Sequence, residues 1–383
     1  MSPARGAPSG AARHLYVHLP FCAHRCGYCD FVTVVGREEL HGRYVDAVLA
    51  ELELERGALA PRVETVFLGG GTPSLTAARE LGRLLEALPE ADELTVEANP
   101  ETVTPELARL LREAGVTRIS LGAQSFDLEL LRVLERQARP DDVRRAFYQF
   151  RDASFDNISL DLLHGIPGQS PADLERDIDE ALALAPEHVS YYELEAKAGT
   201  RFAHAHGEEL ARQAEAMEGY FELVIERLTG AGYRWYETAN FCLAPDRAGG
   251  RDLRAHHNLA YWLGRDYLGL GIGAVSTLGH IRRRNTPRLN GYLAALAGGE
   301  LPDRDVELLD GTIRAQERVM LGLRLDVGLP FATAGEAIDD VALARLEQLG
   351  LAARDAGGES GENLVLTARG RRLGGAVTAE LLA

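Results

Sequence analysis

LYVHLPFCAHRCGYCD, residues 15–30, joins a short apolar run to three closely spaced cysteines. The run at 15–19 predicts a buried β-strand, and Cys22, Cys26 and Cys29 follow it on one loop. The chain has four cysteines, so this loop holds most of them. Spacers of three and two residues allow three thiolates to cap one face of a cubic iron–sulfur cluster and leave one iron open to another ligand. The stretch therefore predicts a [4Fe–4S] site directly after the first strand.

Two other interpretations of the cysteine loop stay open. Zinc in a structural site takes four protein ligands, and His18 or His24 could complete a Cys3His set. Three unligated thiols are the remaining alternative, although clustered exposed thiols are prone to oxidation. Cys242 is too distant in sequence to be assumed as a fourth ligand, and we interpret it as a small apolar filler of the core.

Residues 15–230 alternate short apolar runs with longer amphipathic ones, which predicts βα units. The predicted strands are LYVHL (15–19), TVFLGG (65–70), LTVEA (94–98), RISLGA (118–123), ISLDLLHG (158–165) and HVSYYEL (188–194). Helices are predicted between them, for example at 76–88, 104–114 and 171–184. Strands separated by helices form a parallel sheet, so we expect an α/β fold with a partial, TIM-like (β/α)6 barrel.

Polar and glycine residues gather where these strands end. They are Gly69, Gly70, Gly71 and Thr72 after the second strand, Glu97 and Asn99 after the third, Gln124 and Ser125 after the fourth, and Asp161 in the fifth. Parallel barrels carry their chemistry at the carboxyl ends of the strands, so this rim is the predicted active site. GGGTP alone is a weak signal, because tight strand-to-helix turns use the same residues. No Lys follows it, which excludes a Walker phosphate loop.

The alternation stops near residue 240. Residues 256–290 are rich in His, Tyr, Trp, Gly and Arg, and the polar stretch 297–306 is typical of a linker. Two predicted helices, 310–325 and 332–350, then precede the strands LAARD and LVLT, an order that resembles a winged helix. The acidic turn between those strands argues against DNA reading. We therefore expect a disordered tail (1–13), a barrel domain (14–240), a segment with a linker (241–306) and a C-terminal winged-helix-like domain (307–383).

Composition narrows the classes of function. The net charge of −17 repels nucleic acid, so we expect no DNA or RNA partner. Four cysteines are too few for a disulfide scaffold, which indicates a reducing compartment. The first 13 residues lack the apolar stretch of a signal peptide, and no window approaches the roughly 18 to 20 apolar residues of a membrane span. We expect a cytoplasmic protein, with peripheral membrane contact left open.

The cysteine spacing, with Tyr28 before the third Cys, resembles the radical S-adenosylmethionine (SAM) superfamily. The motifs YVHLPFC, GGGTPS, VEANP, SLGAQSF and LDLLHGIPGQ, in this order, resemble its oxygen-independent coproporphyrinogen III oxidase-like branch along nearly the whole chain after the tail. The resemblance implies a [4Fe–4S] cluster on the three cysteines and SAM, which the reduced cluster cleaves to a 5′-deoxyadenosyl radical. It implies SAM contacts for Tyr16, Gly70, Gly71, Thr72, Glu97, Gln124, Arg136 and Asp161. Taken singly, Arg136 could instead pair with a surface Glu, and Asp161 could cap a helix.

A second motif lies in HHNLAYWLGRDYLGLG, residues 256–271. His257, Asn258, Tyr261 and Trp262 match HNxxYW, which resembles the motif of the heme chaperone family HemW. Imidazole is a good axial ligand for heme iron, and aromatic rings offer flat faces to a porphyrin, so the resemblance implies heme binding here. The neighbouring His256 is an alternative ligand. Without the resemblance, the motif would be interpreted as packing onto the barrel.

The residue at position 31 distinguishes between the activities found within this branch. The resemblance implies one further Cys two residues after the third ligand in the true oxidase, and Phe31 stands there. Ala138, Val275 and Lys197 stand where many members carry His, His and Glu, so no acid or imidazole is present at those points. These departures count against oxidation of coproporphyrinogen III and favour a chaperone.

We therefore expect a heme chaperone that transfers heme to apo heme proteins, among them membrane-bound respiratory proteins. The resemblance also implies an electron donor, and a homodimer is left open. The alternative is a radical SAM enzyme acting on a tetrapyrrole, either as a coproporphyrinogen III oxidase or as a heme-modifying methyltransferase. A zinc-containing binding module is the third hypothesis.

Overall fold

The computed structural model describes residues 11–195, 197, 200–334, 337–358 and 361–382. Its strands are β1 His14–Leu19, β2 Phe21–Cys22, β3 Val34–Val35, β4 Val63–Gly70, β5 Ala91–Ala98, β6 Arg118–Gln124, β7 Ile158–His164, β8 His188–Glu193, β9 Tyr233–Trp235, β10 Asn240–Leu243, β11 Tyr267–Leu270, β12 Val275–Leu278, β13 Ile281–Asn285, β14 Arg304–Leu308, β15 Leu329–Pro330, β16 Ala352–Gly358 and β17 Gly361–Leu366. Its α-helices are α1 His41–Glu55, α2 Ala78–Ala87, α3 Pro105–Glu113, α4 Leu128–Val133, α5 Pro140–Asp152, α6 Pro171–Leu184, α7 Arg201–Gly230, α8 His256–Trp262, α9 Leu289–Ala297, α10 Gly311–Gly322, α11 Phe331–Ala334, α12 Asp340–Gln348, α13 Ala368–Arg372 and α14 Gly374–Leu381.

A twelve-stranded sheet in the order β14-β13-β12-β11-β1-β4-β5-β6-β7-β8-β10-β9 forms the body of the molecule. The run from β11 to β8 is parallel, and the strands that flank it on both sides pair antiparallel. The six predicted strands are confirmed as β1 and β4–β8, and the three example helices as α2, α3 and α6. α3 begins as its sequence predicts, because the Thr104 hydroxyl accepts a hydrogen bond from the Leu107 amide at 3.2 Å and Pro105 occupies the first turn.

Along the parallel strands, side chains alternate between the hydrophobic core on one face of the sheet and a cavity on the other. Val96, Leu121 and Leu160 are buried in the main hydrophobic core, on the face covered by helices. Their chain neighbours Glu97 and Asp161 line a cavity on the opposite face of the sheet. The period of two residues along a strand therefore places apolar side chains outward and polar ones inward.

Two observations concern the segments at the ends of the expected barrel domain. Residues 1–10 of the expected tail lie outside the described residues, but Ala12 is buried and its amide donates to the Ala58 carbonyl at 2.8 Å. The segment after 240 continues the same sheet through β10–β14, and residues 304–306 of the expected linker belong to strand β14. Short antiparallel strands with charged residues carry little apolar periodicity, which is why the sequence did not reveal them.

The C-terminal region has a hydrophobic core of its own, formed around Val319, Leu343, Leu364 and Val377. Its small sheet has the order β15-β17-β16, and the expected helix at 332–350 is divided into α11 and α12. A bidentate ion pair joins Arg234 of β9 to Asp326, with N–O distances of 2.7 and 3.0 Å. The winged-helix interpretation and the domain boundaries stay predictions.

None of the helices in the described part of the chain is long and apolar enough to cross a membrane.

Candidate functional site

The carboxyl ends of the parallel strands enclose a cavity of about 500 Å³, which we call the upper cavity. Its lining includes Cys22, Cys26, Cys29, Gly70, Gly71, Thr72, Glu97, Asn99, Gln124, Arg136 and Asp161. The three cysteines and seven of the eight residues expected to contact SAM thus surround one space, although they come from six separate stretches of sequence. The exception is Tyr16, whose hydroxyl is 3.0 Å from Nδ1 of His18 and whose ring stacks on Phe67, a residue of the cavity lining.

The cysteine loop forms one wall of the upper cavity. The Thr72 hydroxyl donates to Sγ of Cys22 at 3.6 Å, and Nη1 of Arg136 lies 3.9 Å from Sγ of Cys26. Burial raises the pKa of the Cys22 thiol. Among the described residues, no group of three or more His, Cys, Asp or Glu side chains is arranged to hold a single metal ion. The three thiols share one wall, and Cys22 and Cys26 each have a hydrogen-bond donor nearby, as ligands of a cubic cluster commonly do.

Two glycines after β4 allow their backbone to pack closely against the segment that precedes the cysteine loop. Gly70 has φ of +114°, and a Cβ there would lie 2.5 Å from the His18 ring. A Cβ on Gly71 would lie 2.5 Å from the carbonyl of Pro20. Any side chain at these positions would displace the segment that leads into Cys22, so the GGGTP turn is required for the packing of the cysteine loop.

Two partly buried carboxyl groups also line the upper cavity. Burial, followed by the nearby Asp161, raises the pKa of Glu97 to about 7, while the Gly70 amide donates to its carboxylate at 3.1 Å. Asp161 accepts hydrogen bonds from the hydroxyls of Ser120 at 2.7 Å and Ser159 at 3.1 Å, and burial raises its pKa as well. Asp161 therefore faces the cavity and caps no helix. A cationic ligand beside these carboxyls would favour their ionised forms and be held by them.

Arg136 also has its partners inside the cavity. Its Nη2 donates to Oδ1 of Asn99 at 2.9 Å and to the Gly122 carbonyl at 3.0 Å, and its Nε has no partner among the described residues. Asn99 in turn donates to the Thr72 hydroxyl at 3.0 Å. This network links the glycine turn, the end of β5 and the cysteine loop, so the guanidinium is positioned by neutral acceptors beside the thiols.

The rim near Gln124 carries a strained backbone. Gln124 has φ of +66°, a region that residues with side chains seldom occupy. The carboxylate of Asp177 holds the next two residues, because it accepts from the Ser125 hydroxyl at 2.7 Å and from the Phe126 amide at 2.6 Å. Burial raises the pKa of Asp177 to about 6. Asp177 thus fixes the turn that presents Gln124 to the cavity.

Helix α8 carries the HNxxYW motif and lies inside the amino end of the barrel. Its first two amides, of His256 and His257, donate to the carboxylate of Glu93 at 2.9 and 3.0 Å. Nδ1 of His257 lies 2.7 Å from the Thr65 hydroxyl, and its Nε2 lies 2.9 Å from the Tyr261 hydroxyl. His257 is 1% exposed, and burial lowers its pKa to about 3. Both ring nitrogens are therefore in use, and ligation of iron by His257 requires α8 to move.

The other residues of the motif have separate surroundings, although Tyr261 stays in contact with His257. Asn258 lines the upper cavity. Tyr261 packs edge-on against His257 and Tyr267, with ring centroids 4.9 and 4.6 Å apart. The Arg324 guanidinium lies over the ring of Trp262, with its central carbon 4.2 Å from the ring centroid. The four residues thus do not form one surface for a flat ligand.

Residues 16–181 match the model of the Radical SAM superfamily. The chain is 40% identical over 396 residues to the heme chaperone HemW of Mycobacterium tuberculosis (strain ATCC 25618 / H37Rv), a match that covers 100% of this chain and 97% of that protein. It is 35% identical to the heme chaperone HemW of Bacillus subtilis (strain 168), covering 82% of this chain and 84% of that protein. The chain belongs to the HemW family of heme chaperones.

One solved structure confirms the predicted fold class. Coproporphyrinogen III oxidase (HemN) from Escherichia coli, a radical SAM enzyme, superposes with a TM-score of 0.74 at 22% identity, over 98% of this chain and 91% of that one. The mixed α/β, TIM-like partial barrel expected from the strand pattern is therefore shared by a HemW-family chain and HemN.

Beneath α8, the amino ends of the strands surround a second space of about 1170 Å³, the lower cavity. The His256 imidazole lines it and is 44% exposed, with Nε2 3.5 Å from Asp252. Leu259 and Ala260 of α8 also line this space. In this HemW-family chain α8 therefore separates two cavities, with Asn258 facing one and His256 the other.

The sequence did not single out several residues of the site. Arg118, Ser190 and Tyr192 line the upper cavity, and Glu93 holds the start of α8. A signal existed for Arg118, since it alternates along a predicted strand in the same phase as Gln124, whereas the strand of Ser190 and Tyr192 carried no assigned residue. Glu93 carries no local signal, because its partner lies 163 positions away. Cys242 is buried in a separate apolar cluster with Tyr236 and Leu253, as its interpretation as a core filler expects.

Proposed function

We propose that this chain is a cytoplasmic heme chaperone that holds a [4Fe–4S] cluster and SAM in the upper cavity, binds heme and transfers it to apo heme proteins. Full-length similarity to HemW at 40% identity carries the proposal. The gathering of the three cysteines and the expected SAM contacts around one cavity supports it. Membrane-bound respiratory proteins are the acceptors we expect, and an electron donor would reduce the cluster.

The upper cavity fits the two resident cofactors. Cys22, Cys26 and Cys29 would hold the cluster, which supplies an electron that can cleave SAM. Glu97 and Asp161 offer carboxylates to the positive charge of SAM, and Gly70 and Gly71 let the backbone approach it closely. Arg136, with Nη1 3.9 Å from Sγ of Cys26, would bring a positive charge beside the cysteines that hold the cluster.

The role of α8 in heme binding divides into two hypotheses. Ligation by His257, with Asn258, Tyr261 and Trp262 around the porphyrin, requires the helix to leave the barrel and break the two hydrogen bonds of the imidazole. Ligation by His256 requires no such movement, because this side chain already faces the lower cavity.

The test is anaerobic reconstitution with iron and sulfide, followed by heme titration monitored by absorption, with a parallel assay for consumption of coproporphyrinogen III. Saturable heme binding without porphyrinogen turnover supports the chaperone. Turnover without lasting heme binding would show that this is an enzyme despite Phe31. Titration of His256→Ala and His257→Ala separates the two hypotheses for α8, and zinc in place of iron would end the radical SAM interpretation.

A further inference from the structure

The barrel interior carries polar side chains that neither the cysteine loop nor the expected SAM contacts account for. The register of β6, β7 and β8 places Ser120, Ser159 and His188 side by side, and all three are buried. Parallel barrels usually fill such interior layers with bulky branched residues. Buried polar groups are retained when hydrogen bonds satisfy them, so the partners of Ser159 and His188 indicate what this layer does.

A continuous chain of hydrogen bonds leads from Asp161 in the upper cavity to the start of α8. The Ser159 hydroxyl donates to Oδ1 of Asp161 at 3.1 Å and lies 2.8 Å from Nδ1 of His188. Nε2 of His188 lies 2.8 Å from the Tyr236 hydroxyl, whose oxygen accepts from the Ala255 amide at 3.1 Å. Ala255 is the N-cap residue of α8. We call Ser159, His188 and Tyr236, which are completely buried, the interior relay.

An ionised Asp161 fixes the direction of every bond in the interior relay. A carboxylate only accepts, so the single proton of the Ser159 hydroxyl goes to Asp161, and its oxygen accepts from Nδ1–H of His188. The ring is neutral, because burial lowers the pKa of His188 well below its usual range. Nε2 therefore accepts from the Tyr236 hydroxyl, and the oxygen of that hydroxyl is available to the Ala255 amide.

Arg118 favours the opposite tautomer of His188. Its Nη2 lies 3.3 Å from Nδ1 of the imidazole, and a guanidinium only donates. When Nδ1 accepts from Arg118, the ring proton lies on Nε2 and is donated to Tyr236, so the buried Tyr236 hydroxyl proton loses its acceptor, which costs free energy. The ring thus has two arrangements, and a negative charge on Asp161 stabilises the one that completes the chain of hydrogen bonds.

We propose that the interior relay positions the start of α8 in response to the charge on Asp161, and so couples the upper cavity to the helix that carries the HNxxYW motif. A cation in the cavity favours the ionised carboxylate, which selects the tautomer that completes the chain as far as Ala255. Because ligation of iron by His257 requires α8 to move, the relay would then govern access to that imidazole. The proposal rests on the proposed function, which places SAM, a cation, beside Asp161.

The experiment is hydrogen–deuterium exchange of the full chain after cluster reconstitution, with and without SAM, comparing the parent with Tyr236→Phe. Phenylalanine keeps the ring in the core and removes the hydroxyl that joins His188 to Ala255. In the parent, SAM should slow exchange in residues 255–262 by at least about fivefold, the lower end of typical coupling between two sites. In Tyr236→Phe, SAM should still bind but leave exchange in α8 unchanged.

Tyr233→Phe is the matched control, because the buried Tyr233 hydroxyl donates to the Pro186 carbonyl at 2.6 Å and takes no part in the relay. It should respond to SAM like the parent. Asn258 gives SAM a direct route to α8, since it lines the upper cavity. Equal slowing in Tyr236→Phe and the parent would show that this direct route suffices and would overturn the proposal.

A second variant and a spectroscopic measurement keep the proposal testable if Tyr236→Phe folds poorly. Ser159→Ala breaks the relay at its other end and should also abolish the effect of SAM on α8. Nitrogen NMR of isotope-labelled histidines should show the His188 proton on Nδ1 in the SAM-bound parent and on Nε2 in Ser159→Ala, because Arg118 becomes the remaining partner of Nδ1. An unchanged tautomer, or no slowing of α8 by SAM in the parent, would overturn the proposal and leave the proposed function intact. Failure of the reconstituted parent to bind SAM would overturn the proposed function and the proposal with it.

Discussion

Thr65 and His257 are 192 positions apart in sequence, yet a 2.7 Å contact joins the Thr65 hydroxyl to Nδ1 of His257 inside the barrel. The same hydroxyl lies 2.9 Å from Nδ1 of His14, so one Thr connects β1, β4 and α8. Because a hydroxyl both donates and accepts, it can satisfy both imidazoles at once. This contact explains how a seven-residue helix is kept between the upper and lower cavities.

Thr65→Val should therefore destabilise the protein. Valine keeps the shape but leaves two buried imidazole nitrogens without a partner, which costs about 1–3 kcal/mol of the free energy of unfolding. Urea unfolding followed by circular dichroism measures the change. Thr312→Val, at an exposed position of α10, is the matched control and should change little. Equal stability of the two variants would show that the Thr65 contact does not hold α8.

Glu97 should make stability fall as pH rises from about 4.5 to about 7. In the unfolded chain this carboxyl loses its proton near its ordinary pKa, whereas in the fold it keeps the proton until about pH 7. Between these two pH values the folded state thus binds more protons than the unfolded state. Above about pH 7 the free energy of unfolding is lower by roughly 3 kcal/mol than it is below pH 4.5. Glu97→Gln should remove this component, measured as the difference in unfolding free energy from the parent at several pH values without added SAM.

The control for Glu97 is Glu113→Gln, because Glu113 is exposed on α3. Its pH profile of stability should follow that of the parent. A Glu97→Gln profile parallel to the parent between pH 4.5 and 7 would contradict the raised pKa of Glu97.

The strand pattern predicted the parallel part of this fold because each of its buried strands is a compact apolar run flanked by glycine or polar residues. Cys22, Glu97 and Asp161 could be placed at one rim on that basis alone. The position of α8 could not be predicted from the strand pattern, because Thr65 and Glu93 come close to this helix only when the sheet curves around it. His257 illustrates the limit: its sequence motif resembles a heme ligand, while its environment is that of a core residue.

Each cysteine of the loop should be required for iron. Cys22→Ala removes one of three thiolates, and the remaining two cannot hold a [4Fe–4S] cluster by themselves. Iron and acid-labile sulfide per chain should fall from about four toward background after anaerobic reconstitution. Cys242→Ala is the control, since Cys242 lies in a separate buried cluster. Full iron content in Cys22→Ala, or its loss in Cys242→Ala, would require a different ligand set.

Glu51 should be essential to the attachment of the strands that follow α8. It is fully buried on α1 and accepts hydrogen bonds from the Gly271 amide (2.8 Å), Asn285 (2.7 Å), Tyr292 (2.6 Å) and Arg304 (3.0 Å). Glu51→Gln removes the charge that faces the partly buried Arg304 and places amide hydrogens against existing donors. Breaking a buried ion pair in this way costs about 3–5 kcal/mol.

The matched control for Glu51 lies two residues away on the same helix. Glu53 is 70% exposed and pairs with Arg56 at 2.9 Å, so Glu53→Gln should cost at most about 1 kcal/mol, as exposed ion pairs do. Chemical denaturation of both variants gives the comparison, and limited proteolysis would report release of β11–β14 in Glu51→Gln. If the two variants unfold at the same denaturant concentration, Glu51 is not the residue that joins these strands to the barrel.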